Sequence, residues 1–338
     1  MIGINNKLAL FLHNYNTIKK AEVLRTVDRS RRGENGRLAA FYYALHNQPI
    51  NCEAIKACID MISANPNITS RVATFRIASF ISLKSNPADE LARIDTVYKL
   101  MSDAGFLSDS EFLDVAVFII ASGTEPENYR NAVLNARAFH NELKGNRIFQ
   151  TSEAYYIYLA LFGLTNMTPR AGIAHLEHLH QRICSTLNLR SDSDLALWSA
   201  ESMFYSSIDD VERVKEIRDM SKRYKLYRAE FVAFPTLGML SRIPQTPELL
   251  IQQVQGVQNY LIKQKGFGQL SVPRRELYTL AIMIIASAYL DNLKQKMGLT
   301  PELKSLENII LSTYYTMVLN INNHERQVSV IFTTKMRD

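Results

Sequence analysis

Residues that interrupt helices are scarce in this chain. Among 338 residues there are only 13 glycines and 10 prolines, and each of these would weaken a helix if it lay inside one. The hydrophobic share of 47% is that of a globular protein and excludes a chain that is disordered throughout. The composition therefore predicts a folded protein rich in α-helix.

Cysteines and long apolar runs are also few. Cys52, Cys58 and Cys184 form no CxxC pair, so we expect reduced, buried thiols rather than disulfides. The longest apolar stretch, Leu277 to Leu290, is too short to span a bilayer, and the apolar run near the start is too short for a secretory signal. These absences predict a soluble, cytoplasmic protein without a membrane partner.

Familiar catalytic and cofactor motifs are absent. The sequence contains no HExxH, GxSxG, P-loop or GxGxxG pattern. In HLEHLH, two of the histidines His175, His178 and His180 share a helical face that could hold a metal, but no third ligand lies nearby, so we expect a solvated histidine face. His180 and Cys184 could form a nucleophilic pair, although a buried structural thiol is the favoured alternative. We therefore predict no catalytic residue, no metal and no cofactor.

A proline-led segment recurs at a nearly constant interval. The stretch NPADELARIDTVYKLMSDAGF, residues 86–106, has a proline near its start and Gly105-Phe106 at its end. Equivalent turns fall at residues 49, 87, 126, 169, about 208 and 247, where Ser207-Ile208 replaces the proline of the fifth turn. The period of about 40 residues is typical of stacked supersecondary units.

Each unit has the features of a helical hairpin. A proline in the first turn, an Asn or Thr before it and acidic residues after it mark the start of an amphipathic helix, and a Gly-Phe pair would end that helix. Between these helices lie almost wholly apolar stretches such as SEAYYIYLALFGL, which must be covered on several sides. We predict that the residues closing each amphipathic helix are equivalent core positions: Phe106, Phe149, Leu189, Leu226 and Phe267.

The predicted fold is all-α, an α-solenoid-like array of about six to seven αα-hairpin units of roughly 40 residues. We expect a basic helix or linker over residues 1–34, the repeat domain over 35–320 and a C-terminal tail over 321–338. Two alternatives stay open, because short apolar runs are ambiguous. FLDVAVFIIA could be a buried strand, and the β-branched end RQVSVIFTTKMRD could be an edge strand or docking segment.

Two stretches carry a resemblance to a known family. These are SLKSNPADELARIDTVYKLMSDAGFLSDSEFL and NYLIKQKGFGQLSVPRRELYTLAIMIIASAYLD, which resemble an uncharacterised bacterial family, the domain of unknown function 4003. The likeness extends from about Arg37 to the C-terminus. The missing proline near Ile208 and the ending GNRIF, in place of a clean Gly-Phe, depart from the pattern. The resemblance implies helical repeats and no known activity.

Polar side chains inside the apolar helices are the candidate binding residues. Arg76 and Asp114 precede their turn prolines by 11 and 12 residues, and Tyr158 precedes Pro169 by 11, so stacked helices would place them on one side of the array. Tyr, Trp and Arg dominate protein-binding hot spots. The alternative is an internal Arg76–Asp114 ion pair, with tyrosines filling the core. The candidate set is Arg76, Asp114, Tyr156, Tyr158, Trp198, Glu201 and Tyr278.

The net charge of +6 is concentrated near the start of the chain. The run RTVDRSRRGENGR could bind nucleic acid through phosphate contacts, or it could be an exposed linker; its arginines are Arg25, Arg29, Arg31, Arg32 and Arg37. The leading hypothesis is a cytoplasmic helical-repeat module that binds a protein or peptide and is not an enzyme. The alternatives are a nucleic-acid-associated protein that uses this basic segment, and a helical-array enzyme with an unrecognised site.

Overall fold

The computed structural model is built from α-helices. It describes residues 2–26, 31–64, 71–108, 110–144, 146, 152–191, 193–204, 209–224, 234–268, 271–297 and 301–335. Within these ranges no residue lies in a β-strand. This confirms the all-α prediction, and it excludes the alternative of a strand at FLDVAVFIIA, most of which is helical.

The chain divides into two compact units, Met1–His178 and Leu179–Asp338. The first contains α1 (Ile2–Lys20), α2 (Arg32–Leu45), α3 (Cys52–Ser63), α4 (Arg71–Ile81), α5 (Pro87–Asp103), α6 (Leu113–Gly123), α7 (Tyr129–Lys144) and α8 (Tyr156–Gly163). The boundary falls within α9 (Pro169–Leu187). The second contains α10 (Ser193–Ser202), α11 (Asp209–Arg223), α12 (Phe234–Ser241), α13 (Pro247–Ile262), α14 (Arg274–Met297) and α15 (Pro301–Lys335). The sequence predicts one repeat domain over 35–320, whereas the structure divides the chain within α9.

Helices of even and odd number have different neighbours within each unit. In the first unit α4 packs between α2 and α6, α6 packs against α8, and α5 packs against α3 and α7. Each of α3, α5 and α7 also packs against the even helix that follows it. In the second unit α12 contacts α10 and α14, and α11 contacts α13. The same pattern of neighbours thus recurs in both units.

Burial differs between the two kinds of helix in the way that the sequence predicts. Every residue of α8 is buried, and α6 is buried from Leu113 to Ala121. In contrast, α5 buries only the stripe Leu91, Ile94, Val97, Tyr98 and Met101. These are the two roles expected from the sequences: an all-apolar helix is covered on several sides, and an amphipathic helix lies at the periphery.

Local sequence signals set the ends of the amphipathic helices. The Asn86 side chain accepts a hydrogen bond from the Asp89 amide at the start of α5, with Pro87 in the first turn. Thr246 has the same role for α13. Gly105 and Gly266 adopt φ values of 83° and 94°, the left-handed region in which glycine ends helices without steric cost.

In three places a polar side chain on an odd-numbered helix donates a hydrogen bond to a carbonyl at the end of the next, even-numbered helix. The Lys7 ammonium on α1 donates to the Ala44 carbonyl at 2.7 Å. The Asn135 amide on α7 donates to the Phe162 carbonyl at 3.3 Å. Arg213 on α11 donates through Nε to the Ser241 carbonyl at 2.6 Å. The last carbonyls of α2, α8 and α12 are thereby satisfied in the same way. In this pattern α1 packs against α2 as α7 packs against α8.

Several predicted positions differ in the structure. Phe106 and Phe267 are buried, but Leu189 is 36% exposed and is not a core position. Phe149, Leu226 and the Ser207-Ile208 turn lie outside the described residues. Where a tail was expected, α15 continues to Lys335, so this segment is helical and not an edge strand. No helix of the described chain combines the length and hydropathy that a membrane-spanning segment needs.

Candidate functional site

The predicted binding residues lie in the interior of each unit. Arg76 on α4 and Asp114 on α6 are 1% and 3% exposed. The rest of the set is also buried: Tyr156 and Tyr158 on α8, and Trp198, Glu201 and Tyr278 in the second unit. The structure brings Arg76 and Asp114 together, in the arrangement of the internal-pair alternative. It therefore places none of these side chains on an open face of the described surface.

Arg76 is the centre of a buried charge network in the first unit. Its Nη1 donates to Asp114 Oδ2 at 3.3 Å and to the Glu111 carbonyl at 2.8 Å. Its Nη2 reaches Glu34 Oε1 at 3.2 Å, and its Nε donates to Asn35 Oδ1 at 2.8 Å. This guanidinium thus connects α2, α4, α6 and the turn before α6. Such a network is expected to fix the relative positions of these helices.

The network holds two buried carboxylates around one arginine. Burial raises the pKa of Asp114 from 3.8 to about 6, and the Arg76 guanidinium opposes that rise. Glu111 lies at the rim and also forms an ion pair with Arg31. Buried charges are tolerated only when paired and hydrogen-bonded. Each charge of this network therefore has a partner inside the first unit.

In the second unit the candidate residues also contact interior groups. Trp198 stacks on Phe234 with ring centroids 5.9 Å apart. Thr313 donates to Glu201 Oε1 at 2.8 Å, and the Tyr278 hydroxyl lies 3.3 Å from that of Ser221. These contacts connect α10 with α12 and α15, and α11 with α14. The binding role of Trp198, Glu201 and Tyr278 stays a prediction.

The arginines of the basic segment are divided among several environments. Arg25 is exposed and pairs with Glu22, Arg32 donates to the Arg25 carbonyl at 3.3 Å, and Arg31 pairs with Glu111. Arg37 is buried, and Arg29 lies outside the described residues. The nucleic-acid-binding role of this segment stays a prediction.

The histidines of HLEHLH do not form a metal centre in the described residues. His175 and His178 are exposed, whereas His180 is buried. The described ranges contain no group of three or more His, Cys, Asp or Glu side chains that could hold a metal ion. His180 instead contacts serine and cysteine side chains in the second unit.

A neutral polar cleft in the first unit was not predicted from the sequence. It has a volume of about 580 Å³ and lies between the ends of α6 and α8, with α7 as one wall. Asn131 and Asn135 lie on α7 and Asn128 lies directly before it, and the three form one row because side chains three and four residues apart share a helical face. From the sequence, each proline-led turn is interpreted only as the start of a helix. The cleft is formed by two consecutive turns, so the sequence of one unit does not reveal it.

The lining of this cleft is uncharged and rich in carboxamides. None of its lining residues is Asp, Glu, Lys, Arg or His. The side chains of Asn128, Asn131 and Asn166 are exposed and form no hydrogen bond with the described residues. Asn135 uses its amide N–H groups on the Phe162 and Thr165 carbonyls, which leaves its Oδ1 as an acceptor. Leu164 and Met167 add an apolar wall.

Close helix packing at Gly163 shapes the floor of the cleft. A Cβ atom at Gly163 would lie 2.4 Å from the Ala132 carbonyl oxygen, closer than real Cβ atoms approach a backbone atom. The absence of a side chain therefore allows the end of α8 to pack directly on α7. The carboxamides of α7 and the turn before α9 are thereby held on adjoining walls.

A second cleft of the first unit occupies an equivalent place. Its volume is about 830 Å³, and it lies between the turn after α2 and the turn after α4. The Tyr43 hydroxyl lies 2.6 Å from that of Ser82 inside it, and burial raises the pKa of Tyr43 to about 12. Glu53 and His46 also line this cleft. Its lining is therefore chemically less uniform than that of the first, asparagine-lined cleft, which we call the carboxamide cleft.

His140 provides a pH-dependent contribution to the stability of the first unit. It is 6% exposed and lies between the Phe106 and Tyr156 rings, with centroids 5.6 and 5.8 Å away. Burial, followed by the positive charges of Arg137 and Lys144, lowers its pKa from 6.5 to about 4. The unfolded chain therefore binds more protons between pH 6.5 and 4, so stability is full above pH 6.5 and is lost as the pH falls through this window.

We expect the wild-type protein to lose more unfolding free energy between pH 7 and 5 than the variant His140→Gln, by about 1–2 kcal/mol. Asp114 changes stability in the opposite direction, because its pKa is raised to about 6, but it contributes equally to both proteins and cancels. Urea denaturation at the two pH values measures the difference. Equal losses in the two proteins would contradict the burial of a neutral His140.

The family comparison covers most of the chain. The family described as "Protein of unknown function (DUF4003)" matches residues 14–322, a region that includes α2 to α14 in full and contains both stretches on which the resemblance was based. Comparison with curated proteins and with solved structures finds no significant match. The family description gives no activity, so a function has to be argued from the geometry.

Proposed function

The chain belongs to the DUF4003 family of proteins of unknown function, and we propose that it is a cytoplasmic helical-repeat protein that binds an extended peptide segment. The observation that carries the proposal is the row of Asn128, Asn131 and Asn135 along one wall of an uncharged cleft. The free thiols of Cys52, Cys58 and Cys184 agree with a reducing compartment.

The repeat arrangement proposed for each unit is a stack of helical hairpins. The alternation of neighbours, in which even helices contact even helices and odd contact odd, supports it. A second repeated contact is also found between consecutive odd helices. Arg137 donates to the Gly105 carbonyl at the end of α5, and Arg218 donates to the Leu187 carbonyl at the end of α9, both at 3.1 Å. Stacked hairpins of this kind present grooves between successive turns.

The chemistry of the carboxamide cleft fits a peptide backbone. An asparagine side chain offers N–H donors and a carbonyl acceptor, the same pair that each peptide unit presents. Asn131 and Asn135 are one helical turn apart, about 6 Å along the axis. Alternate residues of an extended peptide repeat at about 6.6 Å. The two carboxamides therefore match residues i and i+2 of a bound segment.

The apolar wall indicates which peptides would bind best. In an extended segment successive side chains point in opposite directions, so alternate side chains would face Leu164 and Met167. We propose that the ligand carries small or apolar side chains at these alternate positions. The lack of charge in the lining supports a peptide over a nucleic acid at this site, because phosphates are bound chiefly by Lys and Arg.

Selection of random peptides against the full-length chain, followed by anisotropy measurements, tests the proposal. We expect Asn131→Ala to weaken binding of the selected peptides about fivefold, since each hydrogen bond contributes about 1 kcal/mol, and Asn128→Ala/Asn131→Ala to weaken it further. Asn141→Ala is the matched control, because Asn141 is an exposed asparagine on α7 that does not line the cleft. Its affinity should equal that of the wild type.

Two outcomes would contradict the proposal. One is a selection that yields no peptide above the background of a mock surface. The other is a set of peptides that bind the double variant as tightly as the wild type. We also expect little change in affinity with salt, whereas contacts to phosphate weaken steeply as salt increases.

A further inference from the structure

A cysteine, a histidine and two serines converge in the second unit. Cys184 Sγ lies 3.5 Å from His180 Nε2. The other ring nitrogen of His180, Nδ1, lies 2.9 Å from Ser199 Oγ, and Ser191 Oγ lies 2.9 Å from Nε2. Cys184 and His180 are four residues apart on α9, so they share a helical face. The cluster contains a nucleophile, a base and a group that orients the base.

The hydrogen bonds of Ser199 determine which nitrogen of His180 carries the proton. The Ser199 hydroxyl donates to the Leu195 carbonyl at 2.7 Å. Its oxygen is therefore left as the acceptor for His180, and Nδ1 must be the N–H donor. In neutral imidazole the second nitrogen, Nε2, then carries the lone pair that accepts hydrogen bonds. Nε2 is thus the basic atom, and it faces the Cys184 thiol.

Access to the sulfur distinguishes Cys184 from a buried structural thiol. Cys184 is partly exposed and Ser191 is exposed, whereas His180 and Ser199 are buried. The base is therefore held in a fixed position inside the unit, and the thiol lies at the boundary with solvent. Cys184 is therefore in contact with solvent, and its thiol proton has His180 Nε2 as an acceptor when the sulfur reacts.

We propose that Cys184 is a modification site that undergoes thiol–disulfide exchange with low-molecular-weight disulfides, with His180 as the base. The Cys184 S–H proton passes to His180 Nε2 as Sγ attacks one sulfur of the disulfide. A new Sγ–S bond forms and the original S–S bond breaks. The released thiolate takes the proton from His180, so one mixed disulfide and one free thiol are produced. A disulfide supplies its own leaving group, so no oxyanion-binding group is needed.

The other cysteines provide an internal comparison. Burial raises the pKa of both Cys52 and Cys58, which lowers the fraction of reactive thiolate. We therefore expect oxidised glutathione to modify Cys184 before either of them in the native full-length chain. Occupancy of each cysteine over time is measured by digestion and mass spectrometry after acid quenching.

Variants around Cys184 test the role of His180. We expect His180→Asn to slow modification of Cys184 about tenfold, since a positioned base assists proton transfer. Ser191→Ala should speed it about twofold, because one of the two donors that compete for Nε2 is removed. Ser191 is exposed, so this variant is expected to fold. Ser185→Ala, an exposed serine next to Cys184 on α9, is the matched control and should leave the rate unchanged.

Several results would overturn the proposal. A Cys184 that reacts no faster than Cys52 and Cys58 in the wild-type chain would be an ordinary thiol. An unchanged rate for Ser191→Ala would show that the lone pair of Nε2 does not control reactivity. A rate that rises with low urea concentrations in step with local opening would also count against it, because the native geometry would then not be the reactive one.

Discussion

Replacement of Arg76 by methionine is expected to lower the free energy of unfolding by about 3–5 kcal/mol. The substitution keeps a flexible, unbranched apolar side chain but removes the guanidinium. Glu34 and Asp114 would then be buried without the cation that both contact. Urea denaturation of the full-length chain measures the loss, and hydrogen exchange in α2, α4 and α6 shows whether it arises at the network.

Arg93→Met provides the matched control. Arg93 pairs with Glu125 at 3.7 Å, and the two side chains are 39% and 69% exposed. Exposed pairs contribute little, so the expected loss is below about 1 kcal/mol. Asp114→Asn should also cost less than Arg76→Met, because Arg76 keeps Glu34 as a partner. A loss below about 1 kcal/mol for Arg76→Met would contradict a structural role and favour the hypothesis that Arg76 faces a partner.

The features that the sequence predicted are those with local causes. An Asn cap and a proline act within one turn of the helix that they start, and Gly105 acts where its own φ is positive. The fraction of a helix that is buried also follows from its own pattern of apolar residues. The start of α5, its buried stripe and the full burial of α8 were therefore predictable.

The features that the sequence did not predict depend on distant segments. Arg76 was identified as an unusual residue, but its partners Glu34 and Asn35 lie on α2, 42 and 41 residues earlier. Spacing from the turn prolines placed Arg76 and Asp114 near each other without deciding between a pair and a surface. The carboxamide cleft needs two consecutive turns, and neither turn alone differs from an ordinary helix start.

At Leu189 the repeat alignment predicts the backbone conformation correctly but not the burial of the side chain. Its amide donates to the Cys184 carbonyl at 3.0 Å, as the Phe106 amide donates to the Met101 carbonyl at 3.1 Å. Asn188 has a positive φ of 50°, in the place that Gly105 holds before Phe106. The backbones are thus equivalent, since both close a helix with the same motif. The side chains differ, because burial depends on what the neighbouring helices present.

This difference predicts a large effect at Phe106 and a small one at Leu189. The Phe106 ring stacks on His140 and meets the Tyr156 ring edge-on with centroids 5.0 Å apart. We expect Phe106→Ala to lower the free energy of unfolding by about 3–5 kcal/mol, because it leaves a cavity among these rings.

Leu189→Ala is the matched control, since Leu189 closes its helix with the same backbone motif but is 36% exposed. Its expected loss is below about 1 kcal/mol, as for most substitutions away from the core. Phe106→Leu should fall between the two, because it retains part of the buried volume but loses the ring contacts with His140 and Tyr156. Urea denaturation of the three variants gives the order. Equal losses at Phe106 and Leu189 would show that the helix-closing motif, and not the packing of its last side chain, determines stability at these positions.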